Sequence, residues 1–196
     1  MGPLIPTMTT LSSTIRNGVD TQQMFGTLDA IGAQPELGAF TFRATNQWLD
    51  GAHNRSTVKG FFGAGGEDTT RTEAFRLDAG EPAVLLGTDT GPNPAEYLLH
   101  ALAACLTTTL VYSASARKVR LTEVTSVFEG DMDVRGCLGL DDAYRNGFTQ
   151  IRGTFHIKGD APAEKLRAIV ENATKRSAVF DMVANGVPVA IEAIAE

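Results

Sequence analysis

The residue in this sequence best suited to covalent chemistry is Cys105, a thiol within the apolar run from Leu98 to Tyr112. A thiolate is a strong nucleophile, but free cysteines are among the most frequently buried residues and often only pack. Because the dipole of a helix acts within its first and last turns, a mid-helix thiol gains little from its own helix. We therefore expect that a reactive Cys105 needs a cation from elsewhere in the fold.

The first candidate for that cation is Arg55, which lies next to the start of a predicted strand. His53 shares a face with Arg55 if the segment is extended, because side chains two residues apart in a strand point the same way. A guanidinium can hold a thiolate and orient an oxyanion or a peroxide oxygen. Arg55 could equally be an ordinary surface cation, and Arg71 is a rival for the role.

Glu96 is the third residue that could serve a site with Cys105. Asn93 can cap a helix that begins at Pro94, and Glu96 then stands where a capping box has its carboxylate. On one straight helix, Glu96 and Cys105 are separated by roughly 13 Å along the axis and lie on opposite faces. If both belong to one site, Glu96 must come from a second copy of the chain, as in an antiparallel pair of such helices.

The remaining candidates carry weaker signals. His100 is displaced from Cys105 by roughly 140° around the helix, which favours a core histidine over a Cys–His dyad. His156 lies in a predicted strand, and Cys137 lies at a strand end or loop, where it is incidental or a resolving thiol. There is no metal-ligand spacing of histidines or cysteines, and the glycines of 63–66 lack the lysine of a phosphate loop. We expect neither a metal nor a cofactor.

Hydrophobic periodicity and turn residues predict the elements that hold these side chains. A flexible lead over 1–18 is followed by a helix over 19–33 with Asp20 as its N-cap. The other predicted elements are strands near 39–45, 56–62, 73–78 and 83–86, a helix from Asn93 to about Lys118, strands over 121–134 and 148–158 that could form a hairpin, helices over 160–175 and 178–184, and a closing strand over 187–194. This order predicts an α+β fold, with an N-terminal extension over 1–36 and one domain over 37–196.

The middle of the long helix is apolar on nearly every face, which indicates a helix enclosed on all sides, in a domain centre or a dimer core. Its apolar run is shorter than the roughly 20 residues that span a bilayer, so we expect no membrane partner. The net charge of −6 argues against nucleic acid. Two cysteines in unlike settings and the lack of a secretory signal suit the cytoplasm.

The run from Gly91 to Cys105, with its Asn-Pro, Glu96 and Ala-Cys, resembles the central-helix signature of the OsmC/Ohr family. The segment from Trp48 to Arg55 and the stretches over 131–139, 147–158 and 185–192 are also similar to that family. The resemblance implies an intertwined α+β homodimer, in which long central helices pack between curved antiparallel sheets. It also implies a thiol-dependent peroxidase that reduces organic hydroperoxides in cytoplasmic oxidative-stress defence.

Carried over by the resemblance, Cys105 is the peroxidatic nucleophile, Arg55 its activating cation and Glu96 the carboxylate that orients Arg55. The family usually has a second cysteine after its last long helix, and Ser177 stands at that place here. A serine cannot form a disulfide, so a sulfenic acid at Cys105 would need an external thiol reductant. The alternatives are an inactive dimer that binds a small hydrophobic or thiol ligand, or a structural dimer without a ligand.

Overall fold

The structure is a computed structural model and describes residues 14–195. Its strands are β1 (Ile15–Arg16), β2 (Val19–Asp20), β3 (Thr41–Phe42), β4 (Thr45–Asp50), β5 (His53–Val58), β6 (Phe61–Gly63), β7 (Gly66–Asp68), β8 (Phe75–Ala79), β9 (Leu121–Asp131) and β10 (Gln150–Gly159). Its α-helices are α1 (Thr21–Ala33), α2 (Pro94–Ala116), α3 (Val134–Cys137), α4 (Ala163–Arg176) and α5 (Ala178–Asn185), with 3₁₀ turns at Pro35–Gly38 and Ala83–Leu85. Mixed helices and antiparallel sheets confirm the predicted α+β class.

The strands form four small antiparallel sheets. β4, β5 and β8 make one three-stranded sheet, and β3, β6 and β7 make another. β9 and β10 pair along most of their length, so the predicted hairpin is confirmed. β1 and β2 form a two-residue hairpin whose turn has Asn17 and Gly18 at positive φ. The predicted strand over 56–62 is instead split between β5 and β6.

α2 is the central helix of the described chain. Its start is the predicted capping box of Asn93 and Glu96, and it contacts β9, α4 and α5. The core forms where α2 crosses α4 and consists of Leu110, Ala114, Val119, Leu166, Ile169 and Ala173. Among the described helices α2 alone is long and apolar enough to cross a bilayer, but these contacts are those of a core helix.

The end of α2 is held by the N-terminal turn. The Asn17 amide donates to Ser115 Oγ at 3.0 Å and to the Val119 carbonyl at 2.9 Å, and its oxygen accepts from the Leu121 backbone at 2.9 Å. Asp20 caps α1 as predicted, accepting from two backbone N–H groups. No residue of α1 is buried, so the described part of the chain does not enclose its apolar stripe.

Two predicted strands are wrong. Residues 83–86 form a 3₁₀ turn between Pro82 and Gly87, with Leu86 in the left-handed region, because the flanking residues favour a turn over an extended chain. Residues 186–195 contain no strand or helix. The alternation of Val187, Val189 and Ile191 is typical of a strand, but a strand also needs a hydrogen-bonding neighbour, and none of the described strands pairs with this segment.

Candidate active site

Cys105 lies where α2 meets the start of α5. Its thiol is partly buried, and the Ser177 hydroxyl donates to the Cys105 sulfur at an Oγ–Sγ distance of 3.2 Å. Ser177 is only 2% exposed and lies between the end of α4 and the start of α5. The packing of α2 against both helices therefore sets the distance between the two side chains.

Ser177 is also the N-cap of α5. Its oxygen accepts from the Phe180 backbone N–H at 3.1 Å while its own proton is directed to Cys105. The next two backbone N–H groups, those of Ala178 and Val179, also lower the pKa of Cys105. The first N–H groups of a helix have no partner inside the helix and carry partial positive charge, so they form a natural place for an anion.

These contacts set the protonation of the thiol. Partial burial by itself raises the pKa of Cys105, because burial penalises the thiolate. The hydrogen bond from the Ser177 hydroxyl and the backbone N–H groups of Val179 and Ala178 together outweigh that penalty, with a smaller contribution from Thr109. The pKa of Cys105 therefore lies below that of an ordinary cysteine, which increases the thiolate fraction at neutral pH.

This source of positive potential was not predicted from the sequence. The prediction that Cys105 needs a cation took into account only the dipole of the helix that carries Cys105. A different helix, α5, presents its N-terminus to the sulfur instead. The signal was available in the sequence, because Ser177 is a good N-cap ahead of a predicted helix and stands where the family has its second cysteine.

Within one chain, Arg55 binds the carboxylate of Asp78 and does not contact the Cys105 sulfur. It is paired across β5 and β8 with Asp78, and its Nε and Nη2 atoms both lie 2.9 Å from Asp78 Oδ1. His53 Nε2 lies 2.7 Å from the same oxygen, so the predicted shared face of His53 and Arg55 is confirmed. The hydrogen bonds from His53 and Arg55 hold the pKa of Asp78 below its ordinary value. Within residues 14–195 no cationic side chain contributes to the lowered pKa of Cys105.

Glu96 forms part of the capping box of α2. Its Oε2 accepts from the Asn93 backbone N–H at 2.9 Å, and its own N–H donates to the Asn93 side chain at 2.8 Å. Glu96 is thus at the start of α2 and Cys105 is in its middle. The structure does not bring Cys105, Arg55 and Glu96 together within one chain.

The other sequence candidates lie elsewhere. Arg71 stacks on Phe61 and donates to the Lys59 carbonyl at 3.0 Å. His100 is exposed on α2, so a core role within one chain is excluded, and Cys137 is exposed at the end of α3. Residues 14–195 contain no group of three His, Cys, Asp or Glu side chains able to hold a metal ion.

An apolar groove of about 1100 Å³ lies beside the Cys105 site. It runs between α2, the β9–β10 hairpin, α4 and α5. Leu102 and Leu106 from α2 and Val179 from α5 line it, so the groove shares walls with the helices that enclose the thiol. Its other lining residues include Phe128, Phe148 and Phe180.

Fold and site together define an α+β protein whose long capped helix presents one cysteine to the N-terminus of a second helix. The sequence model of the OsmC-like protein family matches residues 87–192, which is more than half of the chain. The chain belongs to the OsmC/Ohr family. No curated protein matches its sequence significantly.

Solved structures share the fold at low sequence identity. An OsmC-like protein from Mycoplasma pneumoniae has a TM-score of 0.54 at 14% identity, over 74% of this chain and 87% of that chain. A putative osmotic stress induced and detoxification response protein from Psychrobacter arcticus gives 0.54 at 11%, over 72% and 87%. The organic hydroperoxide resistance protein OsmC from Legionella pneumophila gives 0.50 at 18%, over 74% and 90%.

Proposed function

We propose that this chain is a thiol-dependent peroxidase that reduces organic hydroperoxides through Cys105. The observation that carries the proposal is the hydrogen bond that the Ser177 hydroxyl donates to a partly buried thiol at the start of α5, where the Ala178 and Val179 N–H groups also lower the thiol pKa. Donors in this arrangement favour a thiolate, which is the reactive form of cysteine. The name of the Legionella relative and the apolar groove beside the thiol support an organic hydroperoxide as substrate.

In the first step, the Cys105 thiolate attacks the outer oxygen of the hydroperoxide and the O–O bond breaks. The alkoxide leaves and takes up a proton to become an alcohol, while Cys105 becomes a sulfenic acid. Two electrons pass from sulfur to the peroxide. The groups at the start of α5 then hydrogen-bond the oxidised sulfur in place of the thiolate.

In the second step, an external thiol reduces the enzyme. It attacks the sulfenic sulfur, releases water and forms a mixed disulfide, and a second thiol then releases Cys105 with formation of an external disulfide. The side chain at hydrogen-bonding distance from the sulfur is Ser177, which cannot take the role of a resolving cysteine. Cys137, on the connection between β9 and β10, hydrogen-bonds to the Val134 carbonyl.

The proposal includes a homodimer, because one chain leaves too much surface uncovered. Every residue of β4 is exposed, and Leu98 and Tyr112 on the central helix are 39% and 51% exposed. A second copy that covers these faces would enclose α2 on all sides, as its sequence predicts.

The dimer also gives Arg55 a route to a thiol. Tyr97, in the first turn of α2, donates to the Asp78 carbonyl at 2.6 Å, so the Arg55 cluster lies near the start of α2. Cys105 is roughly 12 Å further along the axis. In an antiparallel pair of α2 helices, the start of one lies beside the middle of the other, and we propose that Arg55 faces the thiol of the partner. Glu96 would have to reach Arg55 through Oε1, since Oε2 serves the cap.

Hydroperoxide consumption with a dithiol reductant tests the proposal. We expect the wild-type chain and the Cys137→Ser variant to consume cumene hydroperoxide at similar rates, and Cys105→Ser to consume none above the uncatalysed rate. Cys137 is the matched control because it is the other cysteine of the chain and is exposed. Activity that survives in Cys105→Ser would contradict the proposal.

The groove supports a second candidate, a binding module for small apolar ligands in which Cys105 does not react. The rate of Cys105 alkylation by iodoacetamide against pH separates the two functions. A midpoint below the ordinary cysteine value of about 8.5 supports catalysis. Slow alkylation without such a midpoint, together with saturable binding of an apolar fluorescent probe, supports the binding module.

A further inference from the structure

The family resemblance implies that Glu96 orients Arg55, but within one chain the carboxylate that Arg55 contacts is that of Asp78. Asp78 Oδ1 accepts from Arg55 Nε at 2.9 Å and lies 2.9 Å from Nη2. The Nε–Nη2 edge of the guanidinium therefore faces one oxygen of the Asp78 carboxylate. Among residues 14–195 its Nη1 has no hydrogen-bond acceptor, and that side remains available for a second anion.

Asp78 is itself fixed from two directions. Its backbone carbonyl accepts from the Tyr97 hydroxyl at 2.6 Å, which ties it to the first turn of α2. Gly91 packs so closely on that carbonyl that an added Cβ would clash with its oxygen. The backbone of Asp78 is therefore held relative to the helix that carries Cys105, and the Asp78 side chain is about two-thirds buried.

We infer that Asp78 is the positioning residue for Arg55, with His53 bracing the same carboxylate oxygen from the other side. This inference rests on the proposed function, because it takes Arg55 to act on the thiol of the partner copy. Within one chain, Asp78 and not Glu96 contacts Arg55, and one oxygen of the Glu96 carboxylate serves the cap of α2. A guanidinium held by a fixed carboxylate loses less freedom when it meets a reacting anion.

The direction in which Asp78→Asn shifts the alkylation midpoint of Cys105 distinguishes a positioning role of Asp78 from a purely electrostatic one. Asp78→Asn removes a negative charge near Arg55, and that change alone would stabilise a nearby thiolate and lower the alkylation midpoint of Cys105. If Asp78 positions Arg55, the loss of the carboxylate misplaces the guanidinium and the midpoint rises. Asp78→Glu keeps the charge, so we expect it to restore the midpoint towards the wild-type value.

The experiment measures the pH midpoint of Cys105 alkylation and kcat/KM for cumene hydroperoxide in the full-length chain, with Cys137→Ser as background. We expect Asp78→Asn to raise the midpoint and to lower kcat/KM by about tenfold or more. In an Arg55→Ala background, Asp78→Asn should change neither quantity further, because both residues act through one guanidinium. The matched control is Glu67→Gln, which breaks the exposed Arg43–Glu67 pair and should change neither quantity.

An unchanged or lowered midpoint in Asp78→Asn would overturn the inference, as would additive effects in the Arg55→Ala background. If Arg55→Ala leaves the midpoint unchanged, Arg55 does not act on the thiol and the inference also fails. The alkylation readout needs no turnover. A chain that shows the expected midpoints but consumes no hydroperoxide would therefore overturn the proposed function and leave the positioning role of Asp78 supported.

Discussion

Ser177 connects two parts of the site through one hydroxyl group. It donates to the Cys105 sulfur and accepts from the first turn of α5, so its proton direction is fixed by the helix cap. A cysteine at position 177 would be a weaker N-cap. On oxidation it would form a disulfide with Cys105 and so consume the Cys105 thiol. Serine cannot form that disulfide, and its hydroxyl donates a hydrogen bond to the sulfur.

At the residue scale, we predict that Ser177→Ala raises the pKa of Cys105. A hydrogen bond to a charged group contributes roughly 1.5 kcal/mol or more, which corresponds to about one pKa unit. Because the pKa of Cys105 starts below its ordinary value, the alkylation midpoint of the wild type should lie at lower pH than that of the variant. Iodoacetamide kinetics against pH measure both.

The same substitution also removes a helix cap, and Ser177→Gly controls for that loss. Glycine at an N-cap is only a few tenths of a kcal/mol worse than serine, whereas alanine costs about 1 kcal/mol. Both variants should raise the midpoint, while Ser177→Ala should lose more stability. If neither variant moves the midpoint, the Ser177 hydroxyl does not stabilise the thiolate.

At the element scale, the start of α2 was predictable and the C-terminal segment was not. Asn93, Pro94 and Glu96 form a local signal, since each acts on backbone groups within one helical turn. The β9–β10 hairpin was predictable from alternation along two long segments. The pairing of residues 187–194 depends on a neighbouring strand, and the contact of Cys105 with α5 depends on helix packing, which local sequence does not specify.

The capping box gives the second prediction. Asn93→Ala should lower the free energy of unfolding by about 1 kcal/mol, because the N–H of Glu96 loses its acceptor. Glu96→Gln keeps a side-chain acceptor for the Asn93 N–H and should leave stability nearly unchanged. Urea unfolding at one fixed protein concentration measures both variants.

Glu96→Gln has a further use at this scale. If Asp78 rather than Glu96 positions Arg55, the variant should retain hydroperoxide consumption close to that of the wild type. A large loss of activity at unchanged stability would instead show that the Glu96 carboxylate acts in the site. That result would return Glu96 to the role that the family resemblance implies.

At the scale of the whole molecule, we predict that the chain is a homodimer in solution. The reason is the uncovered apolar surface of β4, α2 and the C-terminal segment, where Val189 and Ile191 are 76% and 89% exposed. Sedimentation equilibrium should give twice the 20.8 kDa mass of one chain. A monomer that remains folded on dilution would contradict the dimer and, with it, the route from Arg55 to the partner thiol.

The most direct test of the central claim asks whether the Cys105 sulfur is oxidised by an organic hydroperoxide. The protein is treated with cumene hydroperoxide in the presence of dimedone, which traps sulfenic acids, and its intact mass is measured. We predict one adduct per chain in the wild type and in Cys137→Ser, and none in Cys105→Ser. Absence of the dimedone adduct in the wild-type protein, or its presence in Cys105→Ser, would contradict the account.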